Sequence, residues 1–313
     1  MQGLVLKSTG SWYEVRSKDG QLWKGRIKGK LRLAGIKSTN PVAVGDWVKL
    51  DVSGVDEALI TDIEERKNHI VRRSVNLSKQ TQVIAANLDQ ALLIVTLSDP
   101  PTHQRFIDRF AVTAEAYSVP LVLVFNKIDA YSEEERAHLE YLEIVYQDAG
   151  YTTLATSAYD KRGLAELKNL IKDKISLLSG HSGVGKSTLI NKIEPTLNLK
   201  TRSISETHRQ GQHTTTFAEM HPLSFGGYVI DTPGIKGFGL VDMSTPEIGD
   251  YFPEIFRLKE QCKFNNCLHI HEPGCAVLAA LEAGELPFER YESYLSFAEG
   301  DENEIFREDD HRP

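Results

Sequence analysis

The chain has 313 residues, 41% hydrophobic and 26% charged, a composition that supports two or three packed domains and excludes disorder as the default. A net charge of −8 excludes a protein that coats nucleic acid by overall charge. No apolar run reaches membrane-span length and the start carries no leader pattern, so a cytoplasmic location without membrane contact is expected.

From Met1 to about Asn68, short strands are predicted at Leu4–Lys7, Ser11–Arg16, Gln21–Ile27, Val42–Val52 and Ala58–Glu64, with Lys18-Asp19-Gly20 as a hairpin turn. They imply a small β-barrel over residues 1–68. Basic residues outnumber acidic ones up to Gln80, so the acid excess lies downstream. Lys24, Arg26, Lys28, Lys30 and Arg32 occupy alternate positions, which on one continuous strand form a basic stripe opposite Gly25, Ile27, Gly29 and Leu31. With Trp12, Tyr13, Trp23 and Trp47 nearby, this segment resembles the phosphate-tracking, base-stacking face of an oligonucleotide/oligosaccharide-binding (OB) barrel. A solvated edge strand protected by lysines gives the same pattern, and the residues alone leave both readings open.

From Gln90 the rhythm changes to strands alternating with helices. Ala91–Val95 reads as a buried strand, Thr102 as the cap of a helix with Phe106, Ile107, Phe110 and Ala114 on one face, and Val119-Pro120 as its end. Leu121–Phe125 is the next strand, then a helix opened by a Ser132/Glu135 capping box and closed near Gly150. Thr152–Thr156 is a third strand. Leu164, Leu167, Leu170 and Ile171 form another helical face, and Ile175, Leu177 and Leu178 a strand. The alternation predicts a parallel α/β sheet with ligands at the strand C-termini.

The stretch Gly180-His181-Ser182-Gly183-Val184-Gly185-Lys186-Ser187-Thr188 fits the phosphate-loop pattern G-x-x-x-x-G-K-[ST]. Its glycines let backbone N–H groups converge on phosphate, Lys186 neutralises the β/γ oxygens, Ser187 offers a hydroxyl to Mg²⁺, and Leu189-Ile190-Asn191 continue as a helix whose positive end faces the same anion. Asn126-Lys127-Ile128-Asp129 is an N-K-x-D element after a buried strand. The Asp129 carboxylate can accept from both N1–H and the exocyclic amine of guanine, which selects GTP over ATP. Asn126 braces the loop, the Lys127 stem lies along the ring, and Ser157-Ala158 present a backbone N–H to O6. Downstream of Tyr228-Val229-Ile230, Asp231-Thr232-Pro233-Gly234 is a D-x-x-G element, with Asp231 holding Mg²⁺ through water and the Gly234 N–H sensing the γ-phosphate. Between these lies His213-Thr214-Thr215-Thr216, where Thr215 is expected to complete the Mg²⁺ shell. Ile235, following Gly234, cannot orient the attacking water as a glutamine would, so His213 is expected to do so; catalysis is then shared by His213, Lys186 and Thr215.

The base-reading motifs precede the phosphate and switch motifs, a rotated order allowed because strand-end loops still converge in space. In this order and with these motifs, the chain resembles the RsgA (YjeQ/YloQ) family of circularly permuted ribosome-biogenesis GTPases. The resemblance implies a GTP/GDP cycle in which hydrolysis is stimulated by the small ribosomal subunit late in its maturation, contact with its rRNA, and a monomer. It also points to the histidine before Thr-Thr-Thr as the catalytic one. A nucleotide-independent rRNA-binding scaffold with a structural GTP site is the alternative; a P-loop kinase would leave the guanine and switch motifs unexplained.

All three cysteines fall in one window, an odd number that points to a metal and not to disulfides. Cys262-x4-Cys267-x-His269-x5-Cys275 supplies three thiolates and one imidazole, enough for a closed, structural Zn²⁺ site. His271 competes with His269 by spacing, and the family resemblance favours His269. Short helices are expected at Ala276–Ala283 and Phe288–Phe297, before a frayed acidic tail from Glu299 to Pro313. The expected fold is therefore multidomain: an OB-like barrel (1–68), a circularly permuted P-loop GTPase domain (69–237) and a small zinc-binding helical domain (238–313). Because the segment from Asp231 runs directly into the zinc domain, a hinge-like tilt of that domain with nucleotide state is also expected.

Overall fold

The computed structural model describes residues 1–28, 41–52, 54, 56–73, 81–199, 218–231 and 243–300. Strands β1 (Gln2–Ser8), β2 (Tyr13–Ser17), β3 (Leu22–Ile27), β4 (Trp47–Val52) and β5 (Glu57–Ile63) run in the order β1-β2-β3-β5-β4, and β4 returns to β1. The result is a closed five-stranded barrel with β3 parallel to β5, the OB arrangement. Period-two alternation builds it: Val5, Val15, Trp23, Val48 and Ile60 fill the interior, while Lys24 and Arg26 flank the buried Gly25 and stay exposed. The Arg26 guanidinium lies 3.5 Å from the ring centre of Trp12. The basic stripe is shorter on its strand than expected. β3 ends at Ile27 and Lys28 follows it, while Gly29, Lys30, Leu31 and Arg32 lie outside the described residues.

The expected strand Val42–Val52 is also broken. Gly45 turns the chain with φ of 89°, and a Cβ there would lie 2.1 Å from the Ala86 carbonyl oxygen. The buried Asp46 carboxylate accepts from the Ala43 N–H at 2.7 Å and takes Arg66 as a two-pronged partner, 2.7 Å at each contact. A hairpin that the sequence reading lacked, β6 (His69–Arg73) with β7 (Thr81–Ala86), packs against this turn through a Val44–Ala85 bridge.

The second unit comprises β8 (Gln90–Val95), α1 (Gln104–Ala116), β9 (Leu121–Phe125), α2 (Glu133–Ala149), β10 (Thr152–Ala155), α3 (Leu164–Ile171), β11 (Ile175–Ser179), α4 (Lys186–Ile193), β12 (Glu219–Pro222) and β13 (Tyr228–Asp231). Its sheet runs β10-β9-β8-β11-β13-β12, parallel except for β12. β8 and β9 are buried at every position, as their unbroken apolar runs require. The capping box of α2 forms as read, and Gly150 closes the helix with φ of 109°. The expected cap of α1 shifts by one residue to His103. Thr102 is instead held in the preceding loop, where its N–H reaches the Thr96 carbonyl at 2.8 Å. Strand order reverses between β8 and β11, which opens a crevice at their C-terminal ends.

Four helices follow: α5 (Thr245–Asp250), α6 (Pro253–Lys259), α7 (Ala276–Glu282) and α8 (Phe288–Glu299). The last two match the expected helices and the first two are additional. Ile248, Phe252, Ile255, Val277, Tyr294 and Phe297 form their core, joined by Val112 from α1.

Candidate functional site

The phosphate loop leaves β11 at Gly180 and enters α4 at Lys186. Gly180, Gly183 and Gly185 hold φ of 140°, 89° and 95°, and a Cβ at Gly180 would lie 2.2 Å from the Ile94 carbonyl oxygen. Glycine takes this path without strain, and such a path is what a loop needs for its N–H groups to converge on an anion. The Lys186 Nζ donates to the Gly180 and His181 carbonyls at 2.6 and 2.8 Å, so the loop wraps its own cation. Burial lowers the Lys186 pKa and raises that of Asp231, and each charge favours the other. Asp231 pairs in register with Leu178, which sets it at the end of β13 beside the loop. Val184 is buried, Ser187 is half-buried in the first turn of α4, and Ser182 and Thr188 are exposed.

The N-K-x-D loop sits on the adjacent strand ends. Asn126 is 1% exposed, and its Nδ2 donates to the Val184 carbonyl at 2.7 Å while its Oδ1 accepts from Thr156 at 3.2 Å. The base-reading and phosphate-holding segments are thus tied by one buried amide. The exposed Asp129 accepts from the buried Ser157 hydroxyl, which itself accepts from the Tyr159 and Asp160 N–H groups at 3.1 and 3.2 Å. This chain of bonds orients the carboxylate, with Ala158 half-buried beside it. Lys127 takes φ of 65° and its ammonium reaches the Asp99 carbonyl.

Asn126, Lys127, Asp129, Ser157, Ala158, the loop Gly180–Thr188 and Asp231 therefore all line the crevice side of the sheet. His213, Thr215, Gly234 and Ile235 lie outside the described residues. The sequence reading missed Tyr131, whose hydroxyl donates to the Asn126 carbonyl at 2.8 Å and accepts from the Leu97 N–H at 3.0 Å. Burial pushes that phenol up to about 12. It missed Phe106 too, whose ring centre lies 4.1 Å from that of His181. Phe106 carries only the apolar periodicity of a core residue, and no spacing marks it as a neighbour of the loop.

Cys262, Cys267, His269 and Cys275 place their ligand atoms within 4.8 Å of one another. Cys262 Sγ and Cys275 Sγ are 3.9 Å apart, and His269 Nδ1 lies 3.6 and 3.4 Å from them. A tetrahedral Zn²⁺ with Zn–S of about 2.3 Å and Zn–N of about 2.0–2.1 Å has edges of ~3.8 Å between sulfurs and ~3.5 Å between sulfur and nitrogen, which the three separations among Cys262, His269 and Cys275 match, with Cys267 as the fourth donor of the cluster. The sulfur separation is far beyond a disulfide bond, about 2.05 Å. His271 is exposed and lies outside this cluster, whereas His269 is buried within it. N–H groups of Ala276 and Leu278 approach Cys262 Sγ and Cys275 Sγ at 3.4 and 3.5 Å. Glu272 collects the N–H groups of Leu268, Ile270 and His271 at 2.8, 2.9 and 3.1 Å, and the Tyr291 hydroxyl donates to the His269 carbonyl at 2.7 Å. These bonds fix the loop that presents His269.

Comparison with known proteins agrees with this geometry. A model of the RsgA GTPase matches residues 63–241, and one of the RsgA N-terminal domain matches residues 2–60. A small ribosomal subunit biogenesis GTPase RsgA of Christiangramia forsetii is 58% identical over 306 residues, covering 97% of each chain. Its counterpart in Flavobacterium psychrophilum is 57% identical over 312 residues, 99% of this chain and 95% of the relative. Among solved structures, YjeQ from Thermotoga maritima superposes with a TM-score of 0.77 at 32% identity, covering 100% of this chain and 99% of that one. YloQ, a circularly permuted GTPase, gives 0.73 at 28% identity, with 100% and 96% covered. With its base-reading loop ahead of its phosphate loop, and similarity running over nearly all its length, this chain belongs to the RsgA family of circularly permuted GTPases.

Proposed function

We propose that this GTPase acts on the small ribosomal subunit late in its maturation, hydrolysing GTP to GDP and phosphate with turnover stimulated by the subunit. The observation that carries the reading is the buried bond from Asn126 to the Val184 carbonyl, which makes the guanine loop and the phosphate loop one unit. Asp129, oriented by Ser157, reads N1–H and the exocyclic amine of guanine, and Ala158 lies against O6. The Gly180–Thr188 N–H groups and Lys186 hold the phosphates; Lys186 exchanges the carbonyls of its own loop for phosphate oxygens, a stronger partner for a cation. Mg²⁺, when bound, neutralises charge between the β and γ oxygens, and Ser187, Thr215 and, through water, Asp231 are the residues suited to hold it. His213 orients the attacking water because Ile235 has no polar group, and the Gly234 N–H reports the γ-phosphate.

The three units act as a barrel (1–68) on rRNA, a GTPase domain (69–237) and a zinc domain (238–313). Zn²⁺, held by Cys262, Cys267, His269 and Cys275, supplies fold stability, since four protein donors leave no open position for catalysis. No helix among the described residues is long and apolar enough to cross a membrane. A cytoplasmic monomer is the form in which we expect it to work. The test is GTP hydrolysis by the zinc-loaded protein with and without isolated small subunits. Stimulated turnover supports the reading; tight GTP binding with no turnover in either condition overturns it in favour of a scaffold.

A further inference from the structure

Helix α1 is buried on two sides. Ile107, Phe110 and Ala111 pack into the core of the parallel sheet, whereas Val112 belongs to the apolar cluster of the C-terminal helices. On that second side the fully buried Asp108 accepts from Arg290 of α8 at 2.6 Å and from the Tyr146 hydroxyl of α2 at 2.7 Å. Arg290 is itself 1% exposed, and its Nε donates to Glu254 of α6 at 2.6 Å. Its guanidinium lies 4.7 Å from the ring centre of Phe252. Burial disfavours a charge here, but the two carboxylates raise the Arg290 pKa well above its ordinary value, so the guanidinium stays ionised. Separating such a set would strand a buried charge, which is far more costly than losing a surface ion pair.

Two further ties close the same interface. Arg257 of α6 donates to the Asp148 and Ala149 carbonyls at 2.9 and 3.3 Å, where the last turn of α2 favours a cation. Tyr141 of α2 donates to Glu289 of α8 at 2.8 Å. The clamped helix also reaches the nucleotide crevice, because Phe106 precedes Asp108 by about 3 Å of helix rise and sets its ring, tilted by 35°, with its centre 4.1 Å from that of His181 of the phosphate loop.

We propose that the C-terminal unit is clamped to the GTPase sheet as one body, and that α1 couples this clamp to the phosphate loop, making Arg290 a positioning residue for nucleotide binding. The proposal rests on reading Gly180–Thr188 as the GTP site. It is the alternative to the expected hinge at Asp231: the C-terminal unit keeps its place on the sheet in both nucleotide states, and loosening its hold on α1 weakens nucleotide binding.

The test uses the full-length, zinc-loaded protein and fluorescent GDP and non-hydrolysable GTP analogues. Arg290→Lys keeps the charge but cannot fork to two carboxylates, and Phe106→Ala removes the contact at the other end. Each is expected to weaken nucleotide binding at least fivefold, and the double variant by no more than the larger single effect, because both cut one path. Paired spin labels on α2 and α7 should report the same distance with either nucleotide, and a broadened one in Arg290→Lys. One zinc per chain establishes that the C-terminal unit is folded; if Arg290→Lys fails that check, Val112→Ala loosens the same helix face without stranding a charge. Additive losses, affinities within twofold of the parent, or a parent distance that changes with nucleotide each overturn the coupling. A parent protein that binds no guanine nucleotide overturns the site reading itself.

Discussion

Asn126→Asp is close to isosteric, so it isolates a buried hydrogen bond that joins the guanine and phosphate loops. The parent Nδ2 donates to the Val184 carbonyl at 2.7 Å from a side chain 1% exposed, and water cannot take over the bond. The substitution leaves a buried carbonyl unsatisfied, a cost of about 1–3 kcal/mol and more than the net worth of an ordinary bond. That corresponds to a loss of roughly 5- to 150-fold in GTP affinity if the loops are ordered only when tied. Titration with fluorescent GTP at pH 7.5 measures it, alongside thermal unfolding without nucleotide. The pH dependence supplies an internal control. Burial raises the pKa of the introduced carboxyl, and its protonated form can donate to Val184 again, so the deficit should shrink as pH falls towards 5.5. Affinity within threefold of the parent, with unfolding unchanged, would refute the tie.

Asp129→Asn should weaken GTP binding at least tenfold and improve binding of xanthosine triphosphate, because the new amide N–H faces the 2-oxo group of xanthine where the exocyclic amine of guanine stood; competition binding decides it. His213→Ala should lower subunit-stimulated turnover at least tenfold with GTP affinity within threefold, and unchanged turnover would remove its assigned role. Zinc should be lost as pH falls. Burial pushes the Cys267 thiol up to about 12 and raises that of Cys275, so the metal-free unit favours protonated sulfur and metal entry must displace at least two protons. Zinc affinity should therefore drop about a hundredfold or more per unit of pH below neutrality, read by chelator competition, and a pH-independent affinity would contradict the assignment. Glu272→Gln should hasten chelator removal of zinc at pH 7. Burial opposes its charge, yet its backbone N–H partners hold the carboxyl down to about 2, so their contribution is present above the ordinary carboxylate range and fades as pH falls towards 2.

Elements whose residues had one job were legible. The apolar runs of β8 and β9, the Ser132–Glu135 box and the glycines of the phosphate loop each have a local cause, and the structure returns them nearly residue for residue. What was not legible was decided by contacts distant in sequence. Ala43, Val44 and Gly45 look like strand, but the chain turns there to meet Ala86. Helix α5 carries its own capping box at Ser244 and Glu247, yet six residues hold too little periodicity to stand out. Asp108 and Arg109 were left off the apolar face of α1, where polar residues ordinarily mean solvent; both are buried because a second unit covers them. The histidine of the cysteine cluster shows the same limit at the site. Spacing admits His269 and His271 alike, and only the fold buries one and exposes the other.

The barrel meets the GTPase sheet through an irregularity that no pattern announces. From Gln2 to Leu4, β1 pairs with β4 to close the barrel, and along its length it also pairs with β2. Its register against β2 slips between Val5 and Lys7, a bulge that re-aims the strand and parts it from β4. Lys7 then pairs with Glu219 of β12, backed by an ion pair at 2.9 Å, and the five barrel strands become continuous with the GTPase sheet. The ion pair is half-exposed and contributes at most about 1 kcal/mol, so the junction is held chiefly by Leu4 and Leu6, which share one core with Met220 and Ile230. β12 follows in sequence the segment that carries His213 and Thr215, and β13 ends at Asp231, so the barrel is built onto the strand pair that separates the two proposed switch segments. The C-terminal unit is fixed instead to α1, which follows β8 and lies beside the phosphate loop. With the motif order rotated, the two flanking units attach to different elements of the GTPase sheet, and β1 covers the β12 edge that an isolated sheet would leave open.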